Sequence, residues 1–394
     1  MKRISLIGLA LLLLLSGCAP DLSRDDEGVQ QTKEEEEKAV IPKYKISDEY
    51  YRTILPFEGS SARGLTISRL NTRYDVDEME LGLMRIAQDD FNTDDFYFKE
   101  GQYLSTSTVR KWLNRKFTKE QYKEIMKNND KLKESDNIGL NPIDPGTGDL
   151  KKRNEENPIY LSHILEHNYM VQTGDNKVGL GGIVIGLALN PVHYYQSEDG
   201  MASYEYKIPH KEMVSKGKEM AQEILTRLRN KEDLKEVPIT IALYEQAEKS
   251  SVVPGNFIAS AHVGEGKNKI SDWKDINEKY YLFPSEGTQE KYLDDYKSFL
   301  NFKQDIEAYF PNYSGVVGRG YYRDDQLQEM KMEIPIQFYG KSEAVGFTQY
   351  VYGKILDHFP EYIAIEVSVT SVDGLEALVV KEAGSNEPTV HITH

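Results

Sequence analysis

Residues 203–209, SYEYKIP, and residues 329–335, EMKMEIP, alternate apolar with polar side chains, and both stop at an Ile-Pro pair. That is the period of a half-buried strand followed by a breaker. The surroundings repeat as well. Tyr194-Tyr195 precedes the first segment and Tyr321-Tyr322 the second, and helical patterns follow that end at Ile224-Leu225 and Ile355-Leu356. Next come PITIALYEQ (238–246) and NFIASAHV (256–263) in one copy, YIAIEVSVT (362–370) and LEALVVKEA (375–383) in the other. Strand, helix, strand, strand, twice over, predicts an internal duplication in which each unit lays a helix across one face of an antiparallel sheet. The expected fold class is therefore α+β: two related helix-on-antiparallel-sheet units, 159–283 and 284–394, preceded by a small helical region and loop, 46–158.

The earlier region reads as helices. DVDEMELGLMRIAQDDF, Asp75 to Phe91, brings Met79, Leu81, Leu83, Met84 and Ile86 to a mostly helical face with acidic residues in the first turn. Val109, Trp112 and Leu113 recur at helical spacing between Ser107 and Lys116, and Thr118 to Gln121 is a capping box for a helix through Met126. The polar stretch 129–158 predicts a surface excursion. After it, Leu161 to Met170 reads as a helix, Val178 to Ala188 as an apolar strand and Lys211 to Arg229 as an amphipathic helix.

The chain begins MKRISLIGLALLLLLSGC. Lys2 and Arg3 form a basic n-region, and Ile4 to Leu15 is an apolar run too short for a comfortable transmembrane helix. Leu15-Ser16-Gly17-Cys18 reads as a lipobox. Small residues admit a signal peptidase before Cys18, whose thiol a prolipoprotein diacylglyceryl transferase alkylates. The resulting lipid would hold the protein on the outer face of the cytoplasmic membrane. Cys18 is also the single cysteine, so no thiol remains for a disulfide or a Cys-ligated metal. Residues 1–17 are read as signal peptide and 18–45, which include the Glu34 to Glu37 run, as a disordered acidic tether. With a formal charge of −16, the chain repels nucleic acid and anionic head groups, leaving the lipid to supply membrane affinity.

Several strings in the N-terminal half are distinctive: Ala62-Arg63-Gly64-Leu65, Ser68-Arg69-Leu70-Asn71, Arg73-Tyr74-Asp75-Val76-Asp77-Glu78, Gly82-Leu83-Met84-Arg85, Gly101-Gln102-Tyr103-Leu104 and Gly139-Leu140-Asn141-Pro142. With the lipobox, they resemble the CamS family of Gram-positive sex-pheromone precursor lipoproteins. The resemblance implies that proteolysis of the released signal yields a short apolar peptide. Here that candidate pheromone is Ala10, Leu11, Leu12, Leu13, Leu14, Leu15, Ser16 and Gly17. It implies no enzymatic activity, cofactor or catalytic residue for the body.

Three patterns invite chemistry. His163-Ile164-Leu165-Glu166-His167 matches the H-x-x-E-H pattern of zinc peptidases, in which two histidines one helical turn apart bind the metal, with Glu232 or Glu245 as a distant third ligand. The competing expectation is a surface helix with solvated histidines. GLGGIVIG, 179–186, has the glycines of a phosphate loop but no following Lys-Ser or Lys-Thr, so a tightly packed strand is expected. Tyrosines number 26, with pairs at 50–51, 194–195, 280–281 and 321–322. Tyrosine rims line peptide and carbohydrate clefts, so a cleft between the two units, taking a peptide or cell-wall ligand, is the second functional expectation.

Overall fold

The computed structural model describes residues 37–174, 177–309, 315–337 and 340–393. Two short strands, β1 (Glu37–Lys38) and β2 (Arg52–Thr53), lead into helices α1 (Arg63–Arg69) and α2 (Arg73–Ala87) and strand β3 (Phe96–Glu100). A helical excursion, α3 (Thr106–Leu113), α4 (Lys119–Lys127) and α5 (Leu150–Glu156), returns the chain to the long hairpin β4 (Leu161–Gly174) and β5 (Lys177–Leu189). A smaller hairpin, β6 (Val192–Gln196) and β7 (Ser203–Lys207), then α6 (His210–Arg229), β8 (Ile239–Glu245), β9 (Asn256–Val263) and β10 (Lys274–Asp275) complete the first half. The second half runs β11 (Glu278–Phe283), α7 (Glu286–Lys291), α8 (Leu293–Tyr309), β12 (Val317–Arg323), β13 (Gln326–Pro335), α9 (Lys341–His358), β14 (Ala364–Ser371), β15 (Gly374–Lys381) and β16 (Thr389–Ile392).

The α+β class holds, and the duplication is visible in the topology. The first sheet is ordered β10-β9-β8-β5-β4-β3-β2, with β1 beside β5; the second is ordered β11-β12-β13-β14-β15-β16. In each, a first strand (β3, β11) is followed by helices, then an antiparallel pair (β4-β5, β12-β13), a crossover helix (α6, α9) and further strands. The crossover returns the chain to the edge it left, so β5 and β8 pair parallel, as do β13 and β14, within otherwise mostly antiparallel sheets. The strand matched in sequence to β13 is a different one, however. SYEYK forms β7, which pairs only with β6 in a separate hairpin; β5 is the topological counterpart of β13.

Burial explains both strand patterns. β5 and β8 are covered on both faces. Ile183, Ile185, Leu187, Ile239, Ile241 and Leu243 pack under α6, while Val184, Ala188, Ala242 and Tyr244 meet Met79 and Leu83 of α2. A continuous apolar run results. Its glycines let neighbours approach: a Cβ on Gly182 would sit 2.1 Å from the Phe91 ring, so the 179–186 run is the tightly packed strand expected of it. The second sheet has helices on one face only. Met330, Met332, Ile334, Ile365, Val367 and Val369 pack against Phe299 and Phe302 of α8 and Phe347 and Val351 of α9, while Glu329, Lys331 and Glu333 take the other face.

Two expectations are corrected. Leu161 to Met170 is strand, not helix. The folded body also begins inside the segment read as tether: Glu37 and Lys38 pair with Val178 and Lys177, and Ala39 is buried beside Ile54 and Val178, because the apolar Ala39 to Ile41 run has a sheet edge to cover. The helix expected over 75–91 forms as α2, although Leu81, expected on its apolar face, is half exposed because it lies off the side packed on the first sheet, and Thr118 and Gln121 close the expected capping box. Among the described residues no helix is long and apolar enough to cross a membrane.

Candidate ligand cleft between the two sheets

Helix α2 is anchored at its first turn. The Thr72 hydroxyl accepts from the Asp75 backbone N–H at 3.0 Å, and Asp75 Oδ1 accepts from the Tyr244 hydroxyl at 2.8 Å and from the backbone N–H groups of Ala247 and Gly255 at 2.9 Å. With one side of the helix buried on the first sheet, Tyr74, Asp77, Glu78 and Leu81, spaced i, i+3, i+4 and i+7, share another side. These four face the helix-free side of the second sheet. There Tyr280, Tyr321 and Glu329 form a row across β11, β12 and β13, and Arg319 and Lys331 form the next. The two walls bound an open cleft of about 450 Å³, with Glu80 and Pro254 also lining it.

Charge joins the halves at the base of this cleft. Arg85 of α2 reaches Glu78 Oε1 at 2.7 Å and Glu278 Oε2 at 2.9 Å, and Arg323 donates from Nη2 and Nε to Glu278 Oε1 at 2.9 and 3.2 Å. The Tyr280 hydroxyl donates to Glu78 Oε2 at 2.5 Å. Burial pushes the Glu78 carboxyl up, with Arg85 and Tyr280 pulling against it; at Glu278 burial is outweighed by Arg85 and Arg323, and the carboxyl is held below its ordinary value. Only 3% of the Glu278 side chain is exposed, so both guanidinium groups are needed to keep its charge there.

Aromatic rings complete the walls. The Arg319 guanidinium lies 4.4 Å from the centre of the Tyr74 ring, and Tyr280 and Tyr321 are 5.0 Å apart. Of the tyrosine pairs, then, one member of each downstream pair enters the cleft. Tyr281 and Tyr322 instead pack with Tyr292 under the opposite face of the sheet. Tyr194 and Tyr195 belong to the β6-β7 hairpin, and Tyr51 is buried while Tyr50 is exposed.

The H-x-x-E-H residues are elsewhere, and their geometry rules against a shared metal. On the strand β4 four residues span ~13 Å, not one helical turn. His163 and His167 are both buried, and burial pushes each imidazole down to about 3. His163 Nε2 bonds with Thr66 Oγ1 at 3.0 Å. Glu166 accepts backbone N–H groups from Gln102, Tyr103 and Leu104 at 3.1, 3.0 and 2.7 Å, so it ties the approach to α3 rather than serving as a base. Glu232 pairs with Lys235 and Glu245 with His210. Among the described residues no group of three or more His, Cys, Asp or Glu side chains is placed to hold a metal. The lipobox Leu15 to Cys18 and the peptide Ala10 to Gly17 lie outside the described residues.

The family model described as CamS sex pheromone cAM373 precursor matches residues 57–387. The chain belongs to the CamS family. Two solved structures of sex pheromone precursors share its fold. The C-terminal domain of the sex pheromone staph-cAM373 precursor from Staphylococcus aureus is 33% identical with a TM-score of 0.70, covering 82% of this chain and 98% of that one. The sex pheromone precursor from Lactobacillus salivarius subsp. salivarius is 31% identical with a TM-score of 0.79, covering 89% and 98%. No curated protein sequence matches the chain. Two of the strings that carried the CamS resemblance lie on α2: Arg73 to Glu78 supplies Tyr74, Asp77 and Glu78 to the cleft wall, and Gly82 to Arg85 ends in the Arg85 that bonds Glu78 and Glu278. The family is described by a pheromone precursor, not by a catalytic reaction. The sequence did not single out Glu278, Arg319 or Lys331: Arg85 and Glu278 lie 193 residues apart, and no local pattern announces such a pair.

Proposed function

We propose that the mature protein is a non-catalytic, extracytoplasmic binding lipoprotein, anchored through Cys18 to the outer face of the cytoplasmic membrane, and that Ala10 to Gly17 of its signal is released as a peptide pheromone. The cleft between α2 and the open face of the second sheet carries the binding part of this reading. Its volume of about 450 Å³ suits a small ligand, and its walls mix aromatic rings, an exposed leucine and both signs of charge. Glu78, Glu329 and Asp77 are held by Arg85, Lys331 and Arg73, which favours recognition over proton transfer. The lipobox and the family's description support the anchor and the pheromone.

Immobilised mature protein is expected to retain cell-wall peptide or glycan fragments saturably, and Leu81→Asp should abolish that retention. Absence of any saturable partner would overturn the binding role. Synthetic ALLLLLSG is expected to raise plasmid transfer from responsive donors; an unchanged transfer frequency removes the pheromone role.

A further inference from the structure

Arg319 stands out among the groups in the cleft. It is half-buried and pinned over the Tyr74 ring, and among the described residues no carboxylate is paired with it. A guanidinium in that position offers a rigid fork of N–H donors that matches a carboxylate. Its neighbour in register on β13 is Lys331, a second cation on the same face. Like charges facing each other across strands destabilise a sheet unless an anion lies between or beside them. Glu329, at 3.2 Å from Lys331, answers the lysine and not the arginine.

We infer that the cleft recognises a peptide through a carboxylate, with Arg319 as the anchoring residue. This assignment rests on the cleft being a binding site. Leu81, half exposed, and Pro254 offer apolar contact beside the cation, which suits an aliphatic peptide better than a free small anion. Asp77, Glu80 and Glu329 ring the site, and they oppose a doubly charged phosphate more strongly than a singly charged carboxylate. A neutral sugar would leave the guanidinium unanswered.

Isothermal titration calorimetry on the full mature chain tests this with three N-acetylated tetrapeptides of leucine and alanine. One has a free C-terminal carboxylate, one is amidated, and one is amidated but carries a glutamate in place of an alanine. Binding by the first alone assigns the carboxylate to the peptide terminus; binding by the first and third assigns any peptide carboxylate. Either way Arg319→Ala should weaken affinity roughly ten- to a hundredfold, and Arg319→Lys should recover part of the loss. Both variants should keep the wild-type circular dichroism, since Arg319 is only half-buried. Equal binding of the neutral amide, or unchanged affinity in Arg319→Ala, overturns the assignment. If a tetramer of N-acetylglucosamine binds, is lost in Tyr74→Ala, and no peptide binds, the carboxylate assignment falls and the cleft stands. If neither ligand binds, both fall.

Discussion

His163 and His167 enter the fold uncharged, because burial pushes both imidazoles from 6.5 to about 3. The unfolded chain therefore takes up these protons first as pH falls. The stability they allow is complete above pH 6.5 and is lost progressively toward pH 3. By pH 5 each histidine should lower stability by about 2 kcal/mol. His193, pushed down to about 4 by burial and Arg115, adds to the same window. Urea unfolding at pH 7, 6 and 5 should show this slope, and the double variant His163→Gln, His167→Gln should remove about two protons' worth of it. An unaltered slope would show that the two rings are already protonated in the folded protein. The sequence placed these residues on a helix because HILEHNYM lacks a clear alternation. In the structure both faces of β4 are covered, which removes the polar face that would have marked it as a strand.

Helix α2 connects local chemistry to the cleft. Most of its apolar positions and its acidic first turn were readable from Asp75 to Phe91, because a helix's buried face repeats locally; Leu81 is the exception and turns to the cleft. What Asp75 holds was not readable: the hydroxyl and the two backbone N–H groups it satisfies come from 169 to 180 residues further along the chain. Asp75→Ala should destabilise the fold by about 3 kcal/mol or more, since those donors would be left buried without an acceptor. Asp75→Asn, which keeps one acceptor oxygen, should recover part of that. A denaturation midpoint for Asp75→Ala equal to the wild type would show that α2 is held by its apolar face alone. The β6-β7 hairpin teaches the converse lesson. SYEYK has the right period for a strand, yet alternation alone does not say which strand it joins, and the insertion displaced the sequence alignment from β5 to β7.

Across the whole molecule, the apolar core that α2 shares with the first sheet and the core of the second half meet through the Arg85, Glu78, Glu278 and Arg323 network. Arg85→Ala would leave two buried carboxylates short of their shared partner, and a loss of about 3 kcal/mol is expected. Both tryptophans, Trp112 and Trp273, belong to the first half. In Arg85→Ala the fluorescence transition should therefore separate from the circular dichroism transition, which reports both halves; coincident transitions would mean the halves are coupled by something other than this network. By itself the amino-acid sequence determined the α+β class, the presence of a repeat and the CamS membership, because periodicity, capping and family strings are properties of contiguous residues. Only the tertiary structure decided that His163, Glu166 and His167 are packed strand residues and that Tyr74, Arg319 and Lys331 line one cleft. Those outcomes depend on which faces are covered and which distant strands become neighbours, and a one-dimensional pattern carries neither.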